Sequence, residues 1–258
     1  MNPLAEKYLR KSALPSIFCP GCGDGTVLSA MLRVIEKTGG IEQYVFVSGI
    51  GCSGWIAPLL NTDVIHTTHG RAIPVATGLA LSLPEKKIVV VSGDGDCAGI
   101  GGNHLIHGAR RNVNITVVMI NNYIYGMTGG QASPTTPAGG RTKTSPYGNA
   151  ERPLDISAVA QAAGASFVAR ETAVTPLRLE KALSQAVAHP GFSFVEVMAQ
   201  CPTQAGRNLF GDGQPKTLYH ALKKAAVSKK DAPLEPGQFR VGILHEDASQ
   251  PYTPPSVH

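Results

Sequence analysis

The chain has 258 residues, five cysteines, 16% charged residues and a net charge of +5. That length buries enough surface to fold without disulfides, and the low charged share excludes a disordered chain and favours burial against partners. The mild positive balance lacks the basic, aromatic-interleaved stripe of a nucleic-acid binder, and an acidic partner suits it better. The first residues, MNPLAEKYLRKSALPSIF, hold no apolar stretch of signal-peptide length. The longest apolar runs are strand-sized, far short of the ~20 residues of a membrane span. A cytoplasmic protein with reduced thiols is expected, its cysteines serving metal or catalysis rather than disulfides.

In chain order, Thr26–Lys37 places Val27, Leu28, Met31, Val34 and Ile35 on one helical face, with Gly39 as the stop. Tyr44–Ser48 reads as a strand, Gly70–Leu83 as a helix, Lys87–Ser92 as a strand and Gly101–Arg111 as a helix. Ile115–Ile120 is a strand, Asp155–Ala163 a helix and Ser166–Ala169 a strand. Pro176–His189 is a helix with Thr175 as N-cap, and Phe192–Val197 is a further strand. These strands are continuous and rich in Val and Ile, as in a parallel sheet covered on both faces. Their alternation with helices predicts an α/β fold with a doubly wound, mostly parallel sheet. Residues 1–206 form one domain. Residues 207–258 read as a C-terminal extension, with one helical stretch at Thr217–Ala226 and a tail, PYTPPSVH.

Two motifs follow strands. KIVVVS runs into Gly93-Asp94-Gly95-Asp96, and ITVVMI into Asn121-Asn122, with Asp94 and Asn122 28 residues apart. Open α/β sheets bind ligands at these carboxyl ends. Gly93 and Gly95 let the backbone approach a diphosphate, while Asp94 and Asn122 offer hard oxygens suited to Mg²⁺. Gly99, Gly101 and Gly102 precede a helix whose N-terminus suits anions. A lone GDG would be a turn; the pair at this spacing points to a cofactor.

Cys19 and Cys22 form a C-x-x-C loop that opens a helix, and Cys52 and Cys201 each follow a strand in a Gly- or Pro-flanked loop. Four such thiols suit a [4Fe–4S] cluster or a structural zinc. A thioredoxin-like pair would leave Cys52 and Cys201 unexplained, and buried structural thiols are the plain alternative.

The strings CPGCGDG, GIGCSGW, HTTHGRAIPVATG, GDGDCAGIGGNH, ARRN and NNYIYGMTGGQASPTTP resemble the β subunit of 2-oxoacid:ferredoxin oxidoreductases, and within it the 2-oxoglutarate group. The likeness runs to about Gly206. It implies the diphosphate-binding domain of the thiamine diphosphate fold. Mg²⁺ would sit on Asp94, Asn122 and the carbonyl of Ile124, and one [4Fe–4S] cluster on Cys19, Cys22, Cys52 and Cys201. Cys97 is then a small packed residue. The resemblance also implies a cofactor pocket formed by Cys52, Ser53, His69, Gly93, Asp94, Gly95, Asp96, Asn122, Ile124, Gly126, Met127 and Thr128. His66, three residues before His69, reads equally as a metal ligand by that spacing and as a satisfied turn residue.

The implied reaction is reversible, CoA-dependent oxidative decarboxylation of a 2-oxoacid, with ferredoxin as electron acceptor. No pyrimidine-domain glutamate is visible in this chain, so that residue and the CoA site are expected on an α subunit. No C-x₂-C-x₂-C-x₃-C-P run occurs, so a second cluster would need another, iron–sulfur subunit. Some relatives carry basic residues at the positions of Trp55 and Gly129, so a carboxylate-binding cation is missing there. Lys7, Arg10 and Lys11, just ahead of the C-x-x-C, are either docking cations for an acidic ferredoxin or an ordinary solvated face. The rivals are a non-redox split thiamine decarboxylase subunit and a zinc-stabilised scaffold.

Overall fold

The computed structural model describes residues 2–228 and 232–253. Of the expected tail, only Pro251, Tyr252 and Thr253 lie within them, and the Tyr252 amide is bonded to the Asn112 carbonyl at 3.0 Å. The helices are α1 (Pro3–Tyr8), α2 (Gly23–Lys37), α3 (Ala72–Ser82), α4 (Gly102–Arg111), α5 (Ile156–Ala162), α6 (Pro176–Ala188) and α7 (Pro215–Ala225). Seven strands build one sheet: β1 (Tyr44–Ser48), β2 (Val64–His66), β3 (Lys87–Gly93), β4 (Thr116–Asn121), β5 (Phe167–Thr172), β6 (Ser193–Met198) and β7 (Gly242–Glu246). Their order is β7-β5-β6-β4-β3-β1-β2. All neighbours are parallel except β7, which runs antiparallel to β5.

The period of two along each strand divides the core. Phe46, Val89, Val91, Val118, Ile120 and Val195 face the layer of α2 and α6, meeting Leu28, Ile35, Leu179 and Leu183. Val45, Val47, Val90, Val117, Met119 and Phe194 face α3, α4 and α5, meeting Ile73, Leu105 and Ile156. With helices on both faces, the middle positions of β1, β3 and β4 are apolar on both sides, which is why those runs read as continuous. Truncating a fully buried residue such as Phe194 would cost about 3–5 kcal/mol. Glu180 ties the two helices of one layer together, accepting from Arg33 Nε at 2.5 Å and pairing with Lys37.

Three elements differ from expectation. Strand β2 (VIH) is only partly covered and carries no long apolar run. Strand β7 comes from the segment beyond residue 206, so the expected extension supplies an edge to the main sheet. Thr175 occupies the N-cap of α6, but its hydroxyl bonds Thr172 rather than the helix amides.

The chain enters β1, crosses to β2 on one side and to β3 on the other. Strand order therefore reverses between β1 and β3, and a crevice opens at their carboxyl ends.

Candidate cofactor site

Strand β3 ends at Gly93, and a helical turn begins at Gly95, running to Ile100 and then into α4. The anion-binding helix start was expected at Gly99–Gly102. Helix α4 does start there, at Gly102, but the turn from Gly95 precedes it; the Gly95 amide is bonded to the Asp94 carboxylate, so the turn's unpaired N-terminal amides follow Gly95. Asp94 is 2% exposed. One of its carboxylate oxygens accepts the hydroxyls of Ser133 and Thr135, both at 2.6 Å. Among the described residues no cation pairs with it, and burial pushes its carboxyl up to about 6. A β-carbon at Gly95 would lie 2.3 Å from the Tyr125 ring, so only glycine fits there.

The two asparagines shape the facing loop. Asn121 Oδ1 accepts the amide of Tyr123 and Asn122 Oδ1 that of Ile124, both at 3.1 Å. These successive side-chain turns support Tyr123 at φ 67°, a left-handed conformation unusual for a bulky residue. Behind them, Asn121 Nδ2 donates to Glu196 at 2.8 Å. Glu196 in turn accepts from Ser157 at 2.6 Å and from Arg170 at 2.7 Å. This buried network fixes the ends of β4, β5 and β6 under the loop.

Asp96 knits the crevice together. It accepts the amides of Ile50 at 3.1 Å and Gly70 at 2.7 Å, His69 Nδ1 at 2.5 Å, and the Ser92 hydroxyl at 2.5 Å. His69 is thereby fixed with Nδ1 toward Asp96, and its ring stands edge-on to Tyr125 at 6.1 Å. His66 bonds Ser48 Oγ through Nδ1 at 2.8 Å and stays outside the crevice lining.

A cavity of about 160 Å³ results. All twelve pocket residues named from sequence line it, joined by Ile50, Gly51 and Tyr125. Among the described residues no lysine or arginine lines it. Trp55, one of the two positions lacking a basic residue, is partly exposed beside His66. At the other, Gly129 (φ 106°), a β-carbon would meet Lys143 Nζ at 2.8 Å, so a cation reaches that place from a later loop.

Cys22 is the N-cap of α2, Cys52 that of a turn at Ser53–Trp55, and Cys201 that of a turn at Pro202–Gly206. Cys19 is exposed, while Cys22, Cys52 and Cys201 are half-buried. A β-carbon placed on Gly126 would lie 3.6 Å from Cys52 Sγ, 3.9 Å from Cys201 Sγ and 3.9 Å from Asn122 Nδ2. The thiols and the asparagine loop therefore meet at Gly126. Burial, reinforced by the Asp24 charge, pushes the Cys52 thiol up to about 11; it raises Cys22 and Cys201 too. At neutral pH such thiols stay largely protonated until a metal takes the sulfur. Among the described residues no group of three His, Cys, Asp or Glu is placed to hold a single metal ion. The Gln200 side-chain oxygen, next to Cys201, is buried without a hydrogen-bond partner among the described residues. Cys97 is 3% exposed, in the core beneath α4.

Sequence reasoning missed Asp24, Ser133, Thr135 and Lys143. Asp24 is 1% exposed in the first turn of α2, where acids usually face water and the helix dipole alone explains them. Ser133 and Thr135 sit in an irregular loop without periodicity.

A family model described as "Thiamine pyrophosphate enzyme, C-terminal TPP binding domain" matches residues 49–197. The chain is 56% identical over 196 residues to the 2-oxoglutarate synthase subunit KorB of Archaeoglobus fulgidus, covering 76% of this chain and 73% of that one. It is 53% identical over 240 residues to the KorB subunit of Methanothermobacter thermautotrophicus, covering 92% and 84%. Among solved structures, it superposes with a TM-score of 0.86 and 31% identity on the 2-oxoglutarate:ferredoxin oxidoreductase of Magnetococcus marinus, whose structure holds 2-oxoglutarate, coenzyme A and succinyl-CoA. That match spans 96% of this chain and 86% of the other. The chain therefore belongs to the β-subunit family of 2-oxoacid:ferredoxin oxidoreductases, alongside the KorB subunits of 2-oxoglutarate synthases.

Proposed function

We propose that this chain is the thiamine diphosphate-binding half of a heteromeric enzyme. It acts with an α subunit in the CoA-dependent oxidative decarboxylation of 2-oxoglutarate to succinyl-CoA and CO₂, reversibly, with ferredoxin as acceptor. The observation that carries this reading is the meeting of the asparagine loop with Cys52 and Cys201 at Gly126. A diphosphate loop and a redox-capable thiol set in contact suit a reaction in which electrons leave the cofactor one at a time.

The residues fit the groups. Asp94 is a buried carboxylate lacking a cation, so a Mg²⁺ held by Asp94, Asn122 and the Ile124 carbonyl would neutralise it. The amides after Gly95 would take the diphosphate, and Cys19, Cys22, Cys52 and Cys201 would ligate the [4Fe–4S] cluster. When bound, the thiamine supplies the electron sink for decarboxylation and the cluster carries single electrons.

The chain's own residues do the rest. Asp96 holds His69 at the cavity wall by its Nδ1, which fixes the ring orientation beside the substrate space. Ile50 and Met127, both partly exposed, offer an apolar rim that a partner subunit can cover to exclude water. Lys143 brings a positive charge to Gly129, beside Met127 and Thr128, where a substrate carboxylate needs one. The activating glutamate and the CoA site are assigned to the α subunit.

The test is anaerobic co-purification with the α subunit, followed by iron, sulfide and thiamine analysis and an assay of 2-oxoglutarate-dependent ferredoxin reduction. The expected result is four irons and one thiamine per chain, iron lost in Cys201→Ala and kept in Cys97→Ala. Iron-free protein that still decarboxylates would favour the non-redox decarboxylase instead. Zinc without thiamine would favour the scaffold.

A further inference from the structure

Of the three cations ahead of the C-x-x-C, two are engaged in the fold, while Lys11 is exposed. Lys7 pairs with Glu36 at 2.7 Å. Arg10 donates to the carbonyls of Leu60 at 2.8 Å and Thr62 at 2.6 Å, anchoring the first segment. Helix α7, in the segment after residue 206, is different. Its sequence, PKTLYHALKKA, contains no acidic residue. Leu218 and Leu222 are buried beneath it, while Lys216, Tyr219, His220, Lys223 and Lys224 are exposed. None of its lysines forms an ion pair among the described residues, and Lys223 Nζ lies 5.8 Å from the Tyr219 ring.

The helix also lies against the thiol loop. A β-carbon on Gly21, between Cys19 and Cys22, would stand 2.4 Å from Cγ of Pro215, the first residue of α7, and 3.7 Å from Cγ of Pro202, which follows Cys201. Cys19, in this same loop, is the exposed thiol of the set. Eight residues of helix separate Lys216 from Lys224, a rise of about 12 Å. That is well within the Debye length of about 30 Å at 0.01 M, so at low salt the cations act as one patch.

We infer that the basic face of α7 is the docking surface for the electron acceptor, an acidic ferredoxin, placing its cluster against the Cys19 loop. The inference rests on the proposed function, which supplies the cluster and the carrier. Charge complementarity selects the occupant: three lysines without ion pairs among the described residues outweigh the Asp212 carboxylate at the helix start, and with an aromatic at its centre such a face attracts an acidic protein. Electron-carrier encounters are small, weak and steered by such fields.

The experiment uses the assembled α/β enzyme. Lys216, Lys223 and Lys224 are changed together to Glu, and reduction of a purified acidic 2[4Fe–4S] ferredoxin is compared with reduction of a small neutral dye. The KM for ferredoxin should rise about tenfold at 0.01 M ionic strength and converge to within about twofold at 0.3 M. Dye reduction should stay within about twofold of the parent. An unchanged ferredoxin KM at low salt overturns the inference. Loss of dye activity in the parent enzyme would instead sink the proposed function, and the docking site with it. A second measurement needs no variant: amine labelling of the parent enzyme with and without saturating ferredoxin. Protection of the three lysines only when ferredoxin is present supports docking. Lysines that stay labelled, or that the α subunit already shields, refute it.

Discussion

The Ser53 hydroxyl donates to an Asp24 carboxylate oxygen at 3.2 Å, and the Cys22 thiol meets the other oxygen at 3.5 Å. Ser53 lines the cofactor cavity, whereas Cys22 belongs to the thiol set, so one buried carboxylate touches both. Burial pushes Asp24 up to about 6, and after burial itself its charge is the next cause raising the Cys22 and Cys52 thiols. Removing that charge should ionise more Cys52 thiol at a given pH. In the metal-free chain, Asp24→Asn is expected to speed alkylation of Cys52 several-fold at pH 8, read by mass spectrometry. An unchanged rate would mean that the charge does not reach the sulfur.

Asp94 should govern metal binding through its protonation. Its carboxyl is raised to about 6 by burial, so below that pH it is neutral and a poor ligand. Mg²⁺-dependent thiamine diphosphate retention should therefore be flat above pH 7 and fall about tenfold per unit below pH 6. Equilibrium dialysis across pH 5–8 checks this, and Asp94→Asn should bind weakly throughout without a pH limb. The metal-free chain should show the opposite trend in stability from this group. A folded pKa above the unfolded value of 3.8 makes protonation stabilising, so its stability falls as pH rises from about 4 to 6, and Mg²⁺ restores it.

Asp96 is expected to matter for the fold more than Asp94. Asp96→Ala would strand two amides, an imidazole N–H and a hydroxyl around a 3%-exposed position. A loss of about 3–5 kcal/mol is expected, measured from urea midpoints at constant m. Asp96→Asn keeps the shape and should cost less. Gly49→Ala should be similarly damaging, since its β-carbon would overlap the Asp96 carboxylate at 1.7 Å.

Lys143 should set preference among 2-oxoacids. With no lysine or arginine among the described residues of the cavity wall, its ammonium beside Gly129 brings a cation to the Met127–Thr128 rim. In the α/β enzyme, Lys143→Ala should raise the KM for 2-oxoglutarate about tenfold while kcat stays within about threefold. The KM for pyruvate, which lacks a second carboxylate, should change far less. Equal effects on both substrates would place the distal carboxylate's partner elsewhere.

Much of this was legible because parallel strands are buried on both faces. Val89, Val90 and Val91 show no alternation, and their run led straight to Asp94. Asn121 and Asn122 were readable because amide side chains at a strand end shape a turn. Strands Val64–His66 and Gly242–Glu246 were hidden for the converse reason: half-exposed edge strands carry mixed residues. The glycine-rich stretch from Gly95 concealed a helical turn, because glycine argues against helix until a closely packed ring such as Tyr125 excludes anything larger. Ser133, Thr135 and Lys143 come to the site across a loop, and nothing local in their neighbours announces where a loop will fold back.

Strand β7 alone runs against its neighbour, and its register slips between Ile243 and His245. A parallel sheet ending at β5 would leave a buried strand with a bare row of amides and carbonyls, a template for any other extended chain. The strand that covers it is short, bulged and ends in Glu246, which makes it a poor template in its own right. The segment beyond residue 206 thus guards the sheet against self-association. A protease that clipped it away would convert a cofactor subunit into a seed for aggregates, with the site residues still in place.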